Sequence, residues 1–228
     1  MSIGENYRSV LERVAEAASR AGRDPSGITV VGVTKTHPAA TVREAIEAGI
    51  VDVGENRVQE FLAKAPAVDL PCRWHLVGHL QTNKVAKAIG RFHLVHSVDS
   101  LRLAEKLGRA GMERGLATDV LLEVNTSGEA AKYGFDPDET VDCCGAVAAI
   151  DGLRLRGLMT VGPWVDDVGV VAGAFQLLRR LRNEADAALG GGVLGHLSMG
   201  MTDDFEIAIA EGSTIVRLGR ILFGARGA

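Results

Sequence analysis

Three cysteines in 228 residues, Cys72, Cys143 and Cys144, leave no material for a disulfide framework. Two of them are adjacent and no metal-ligand spacing links them, so reduced thiols in a cytoplasmic protein are the expectation. Long apolar runs are also missing. The opening stretch from Met1 to Arg23 is amphipathic and charged throughout, lacks the apolar segment of a secretory signal, and no run reaches the length of a membrane span. Nor is there an excess of positive charge. Lys and Arg number 25 against 29 Asp and Glu, a formal charge of −4, so no global field draws the chain to nucleic acid or an anionic membrane. The run Arg179, Arg180 and Arg182 reads as the solvated face of a helix. No linker or low-complexity segment divides the chain, and Gly190-Gly191-Gly192 reads as a loop. One domain over residues 1–228, acting as a monomer, is the expectation.

What is present is a globular composition, 46% hydrophobic and 24% charged, with a core large enough to need no staples. Residues 5–21 predict a helix with Val10, Leu11, Val14 and Ala18 on one face. Short β-branched runs then alternate with helical stretches. The runs cover 28–35, 50–56, 73–78, 92–98, 119–125, 153–160, 193–198 and 213–219. Helices are expected at 38–48, 57–64, 83–89, after Asp99 or Ser100, and at 137–149, 168–188 and 203–210. Eight such units predict an α/β fold, a single (β/α)8 TIM-type barrel with an extra N-terminal helix. An open doubly wound sheet would more often carry a glycine-rich dinucleotide loop after the first strand. Here that strand ends in Thr34-Lys35-Thr36-His37-Pro38.

In such a barrel the chemistry sits at the C-terminal ends of the strands. Those ends carry Lys35, Glu55 with Asn56, His75 with His79, Ser97, Asn125 with Ser127, Met159 with Thr160, Ser198 and Arg217. Lys35 closes an apolar strand. Desolvation there would favour the neutral amine that forms Schiff bases, and a lysine snorkelling to the rim is the equal alternative. The loops after strands seven and eight are a frequent phosphate site. A hydroxyl at Ser198 and the backbone N–H groups exposed by Gly200 and Gly219 would supply donors. Ordinary turn glycines and a helix cap are the competing reading. A lysine facing a phosphate cradle describes pyridoxal 5′-phosphate (PLP).

Several motifs carry a specific resemblance. They are Val33-Thr34-Lys35-Thr36, Gly54-Glu55-Asn56-Arg57-Val58-Gln59-Glu60, Trp74-His75-Leu76-Val77-Gly78-His79-Leu80-Gln81-Thr82-Asn83-Lys84, Arg156-Gly157-Leu158-Met159, Leu197-Ser198-Met199-Gly200-Met201-Thr202-Asp203-Asp204, and Gly212-Ser213-Thr214-Ile215-Val216-Arg217-Leu218-Gly219. Over nearly its whole length the chain resembles the pyridoxal phosphate homeostasis protein family. The resemblance implies the barrel of alanine-racemase-like PLP proteins and a Schiff base between PLP and Lys35. It also implies phosphate contacts from Ser198 and the Gly219 backbone, Arg217 facing the pyridine nitrogen, and Asn56 near the cofactor. It implies a carrier, buffer or regulator of vitamin B6, acting on PLP-dependent apo-enzymes, without an established reaction. Arg220 and the loop Val161-Gly162-Pro163-Trp164 depart from the family pattern.

The residues themselves favour a carrier. A cationic Arg217 at the pyridine nitrogen makes the ring a weak electron sink. Racemisation needs a second base, and of the two tyrosines only Tyr133 follows a strand; it reads as a loop residue. A minimal racemase is the alternative. A Schiff-base aldolase ranks lower, since strand six carries no lysine. A metal hydrolase ranks lower still: His75, His79, His93, His96 and His196 form no HxH or HExxH pair and meet no strand-end carboxylate cluster.

Overall fold

The structure is a computed structural model that describes residues 2–129 and 132–224. Helix α1 (Ile3–Arg20) opens with a capping box, in which the Ser2 hydroxyl accepts from the Glu5 N–H and the Glu5 carboxylate accepts from the Ser2 N–H. Eight strands follow: β1 (Thr29–Val33), β2 (Asp52–Glu55), β3 (Arg73–Leu76), β4 (Leu94–Val98), β5 (Thr118–Glu123), β6 (Leu153–Met159), β7 (His196–Ser198) and β8 (Ile215–Leu218). Every neighbouring pair is parallel, and β1 pairs with β8, closing the barrel in the order β1 to β8. The connecting helices are α2 (Ala39–Glu47), α3 (Val58–Lys64), α4 (Val85–Ala88), α5 (Leu101–Met112), α6 (Thr140–Ala148), α7 (Val168–Ala188) and α8 (Phe205–Ala210), and α9 (Arg220–Phe223) follows β8.

Strands buried on both faces explain the near-continuous apolar runs. One face packs on the helices. The other fills the barrel with Val31, Leu94, Leu121, Met159 and Ile215, flanked by Val77 and Val161. Helix α1 lies across the barrel beside α8 and α9, burying Val10, Val14, Ala17 and Ala18. Arg23 ties its end down by donating to the carbonyls of Ile209 and Ser213 at 2.6 and 2.8 Å.

The expected elements all form, and most strands are shorter than their apolar runs. Before β7, the N–H groups of Gly192, Val193 and Leu194 turn to the Asp186 carboxylate at 2.7–2.9 Å, which takes them out of any ladder. Before β8, the Ser213 hydroxyl sits among the carbonyls of Leu197, Met199 and Ile215. The helix expected at 83–89 is a 3₁₀ turn plus the single turn of α4. Helix α8 starts at Phe205 because the Asp204 carboxylate caps the Met201 N–H in a preceding turn. Among the described residues, no helix is long and apolar enough to cross a membrane.

Candidate active site at the barrel mouth

Lys35 stands two residues beyond β1, half-buried, in a turn whose next residue, Thr36, has φ 67°. A non-glycine residue in the left-handed region is uncommon and needs support. The support comes from β2 and α3. The Thr36 N–H donates to Glu60 Oε2 at 2.8 Å, and Lys64 Nζ donates to the Thr34 carbonyl at 2.8 Å. Lys64 also pairs with Glu55 at 2.7 Å, and the Thr34 hydroxyl donates to the same Glu55 oxygen at 2.6 Å. Glu55 is fully buried, and burial pushes its pKa up against the bonds from Lys64 and Thr34. Its Oε2 meets no partner among the described residues. Lys64 and Glu60 were invisible as site residues in the sequence, although their i, i+4 spacing on one helix is a signal for a clamp.

Asn56 follows β2 and packs against Gly78. A Cβ on Gly78 would lie 2.5 Å from the Asn56 carbonyl oxygen, so only glycine fits there. The Ser97 hydroxyl donates to the Gly78 carbonyl at 2.7 Å and holds that approach.

On the far side of β1, Arg217 points into the barrel, fully buried. Its Nη1 donates to the Ser198 hydroxyl at 2.7 Å and its Nη2 to the Thr160 carbonyl at 2.8 Å. Burial lowers its pKa to about 10, against the opposing charges of Asp204 and Glu123. Ser198 lies beneath the mouth. Its hydroxyl accepts from Arg217 Nη1 at 2.7 Å and lies 2.8 Å from His96 Nδ1.

The two loop glycines differ. Gly200 has φ +96°, and a Cβ there would meet Ala208 Cβ at 2.6 Å and Phe205 Cα at 2.9 Å, so packing alone demands glycine. Gly219 has φ −117°, and an added Cβ would find only ordinary contact with Val33 at 3.4 Å or more. Nothing in the protein itself requires glycine at 219. The N–H groups of Gly219, Arg220 and Ile221, which open α9, meet no acceptor among the described residues. The Arg220 side chain turns away to an ion pair with Asp203.

The third wall carries groups that the sequence reading passed over. β5 ends at Glu123, two residues before the expected Asn125. Asn125 and Ser127 instead bond within the following loop. Glu123 lines a cavity of about 200 Å³ with Val124, Asn125, Lys132, Tyr133 and Val161. Burial, reinforced by the charge of Asp99 and opposed by that of Arg217, lifts its pKa to about 7. Tyr133 is exposed and stacks on the His79 ring at 4.0 Å, and His79 bonds Asp99 at 2.8 Å. His75 and His79 do not share a face. β3 ends at Leu76, His79 stands at the mouth, and His75 points into the interior, between Asp52 and His96. Among the described residues, no three His, Cys, Asp or Glu side chains converge as metal ligands.

This barrel, with a lysine after its first strand and a buried arginine on its last, has a counterpart among known proteins. The chain belongs to the family described as alanine racemase, N-terminal domain, which matches residues 6–227. Within it, the full-length relatives are pyridoxal phosphate homeostasis proteins. The one from Pseudomonas aeruginosa is 45% identical, covering 99% of this chain and 96% of the relative. The one from Aquifex aeolicus is 41% identical, covering 99% of both. The solved structure of PipY from Synechococcus elongatus with PLP bound superposes with a TM-score of 0.82 at 38% identity, covering 92% of this chain and all of that one.

Proposed function

We propose that this protein binds PLP at the barrel mouth and serves PLP homeostasis as a carrier and buffer. The observation that carries the reading is the pair of turns side by side at the C-terminal ends of the parallel strands β1 and β8. After β1, Lys35 sits in a clamped turn; after β8, three N–H groups without an acceptor among the described residues start at a glycine that the protein's own packing does not require. Those donors suit a phosphate, and Lys35 suits an aldehyde. Bound PLP supplies a reactive aldehyde and an electron-withdrawing ring, and its aldehyde condenses with a neutral amine with loss of water.

The chain's own residues then divide the work. Lys35 would supply the amine for the aldehyde. The N–H groups of Gly219, Arg220 and Ile221 would hold the phosphate, with Gly200 shaping the neighbouring loop. Arg217 would offer one of its remaining N–H groups to the pyridine nitrogen, and Asn56 would border the ring. Ser198 serves this site through Arg217. A ring nitrogen that accepts from a guanidinium stays unprotonated, which suits storage better than carbanion chemistry. Delivery to PLP-dependent apo-enzymes in the cytoplasm, where three free thiols remain reduced, belongs to the same reading.

The test is the absorbance spectrum of the purified protein loaded with PLP, before and after borohydride. The wild type is expected to be yellow and to fix PLP on reduction, and Lys35→Ala is expected to fix none while remaining folded. Turnover of about 1–10³ per second with any amino acid in a panel of L- and D-isomers would overturn the carrier reading in favour of an enzyme.

A further inference from the structure

A line of polar side chains runs through the interior of the barrel from its N-terminal rim to the mouth. Arg73, at the start of β3, makes two bonds of 2.6 Å to Asp52 at the start of β2. Asp52 Oδ1 lies 2.9 Å from His75 Nε2, and His75 Nδ1 lies 2.9 Å from His96 Nε2. His96 Nδ1 lies 2.8 Å from the Ser198 hydroxyl, which lies 2.7 Å from Arg217 Nη1. All of these groups except Arg73 are buried.

The two ends give the line a direction. A guanidinium only donates and an ionised carboxylate only accepts. Asp52 is held ionised: burial pushes its pKa up, but the bonds from Arg73 and His75 and the charge of Arg73 outweigh that and hold it well below the usual carboxylate range. His75 therefore carries a proton on Nε2. At the other end, Ser198 accepts from Arg217 and gives its own proton to His96 Nδ1. With one proton per ring, His96 must be protonated on Nε2 and donate to His75 Nδ1. Every bond then points the same way, from the buried cation to the buried anion, and each polarises the next. Apolar side chains could fill this volume at less cost in desolvation.

We propose that Asp52, His75, His96 and Ser198 form one directional hydrogen-bond chain that sets the position and charge of Arg217 as the partner of the cofactor ring. This rests on the PLP-binding reading above. His75 and His96 are then positioning residues for a ring that neither touches. By pinning Nη1, with Thr160 pinning Nη2, the chain fixes the plane of the guanidinium and so the direction in which its remaining N–H groups are offered. It also supplies a distant countercharge, Asp52, for a guanidinium that has no carboxylate bonded to it among the described residues.

The first arm of the test uses the protein without PLP. Nitrogen-15 NMR of the histidine side chains at pH 7 should show His75 and His96 each protonated on Nε2, with slowly exchanging protons. Protonation of His96 on Nδ1 would reverse a link and overturn the chain. The second arm uses the loaded protein. His96→Phe should weaken PLP binding about tenfold, the loss expected for one charge-assisted bond, and shift the absorption maximum of bound PLP. His96→Gln, whose amide accepts from Ser198 and donates to His75, should restore both. Asp52→Asn, four bonds from Arg217, should shift the same maximum and serves if His96→Phe does not fold. In an Arg217→Leu background neither change should have further effect on the spectrum. A folded His96→Phe or Asp52→Asn protein with wild-type affinity and spectrum would reduce the chain to packing and overturn the inference. A wild type that takes up no PLP would instead overturn the functional reading beneath it.

Discussion

His96 Nδ1 lies 2.8 Å from the hydroxyl oxygen of Ser198, and both residues are fully buried. Burial, with the charge of Arg217, holds the His96 pKa well below the usual imidazole range, so its Nδ1 is free to accept. Ser198→Ala would strand that acceptor and one guanidinium nitrogen of Arg217 together. The expected result is a loss of about 1–3 kcal/mol in folding stability, measured by denaturant unfolding in the absence of PLP. An alanine variant as stable as the wild type, but with weakened phosphate binding, would return Ser198 to the role of a phosphate ligand.

Gly200 and Gly219 should separate cleanly. Gly200→Ala meets Ala208 and Phe205 inside contact distance at a positive φ and should cost about 1–3 kcal/mol of stability. Gly219→Ala should leave stability within about 0.5 kcal/mol but weaken PLP binding, because the new methyl crowds the approach to the N–H groups of 219–221. Pyridoxal, which has no phosphate, should bind the two forms alike. Equal affinity of wild type and Gly219→Ala for PLP would remove those N–H groups from the site.

Glu123 makes stability depend on pH. Its folded pKa of about 7 stands above the ordinary 4.5, so the unfolded chain releases this proton first. The sign follows: no penalty below about pH 4.5, a growing penalty to pH 7, and a constant one above it, about 3 kcal/mol in full. Glu123→Gln abolishes the titration. The variant should match the wild type at pH 4.5 and exceed it at pH 8 in denaturation midpoint. A difference that stays flat across that range would show that Glu123 titrates normally.

Lys64→Met should be among the more damaging single changes near the site. It leaves Glu55 fully buried, with one oxygen already lacking a partner among the described residues, and it frees the Thr34 carbonyl. Breaking one side of a buried pair costs about 3–5 kcal/mol. Adding Glu55→Gln should recover part of that loss in a thermal melt. If the double variant is no better than the single, the pair's charge is not what holds the Lys35 turn.

Much of the fold was legible because it is written locally. Apolar runs of four to eight residues mark strands buried on both faces, and the Ser100 cap marks a helix start, whereas the Ser2–Glu5 capping box sets the start of α1 two residues before the expected position. Strand ends were legible to within a few residues, which sufficed to place Lys35, Asn56 and Arg217 at or next to the ends of β1, β2 and β8. It did not suffice for Glu123, hidden by reading β5 two residues too long. Strand ends depend on which N–H groups find a ladder, and Asp186 and Ser213 divert such bonds by contacts with no local pattern.

The sequence by itself determined the alternation of strands and helices, the closure into eight units and the residue types at the mouth, because these follow from periodicity and chemistry along one segment at a time. Only the tertiary structure decided what the interior does. His96 and Ser198 are 102 residues apart and Asp52 and His75 are 23 apart, and a lone histidine in an apolar run looks the same whether it is paired or not. Barrel closure sets the register between strands, and register, which no single segment encodes, decides which inward side chains meet.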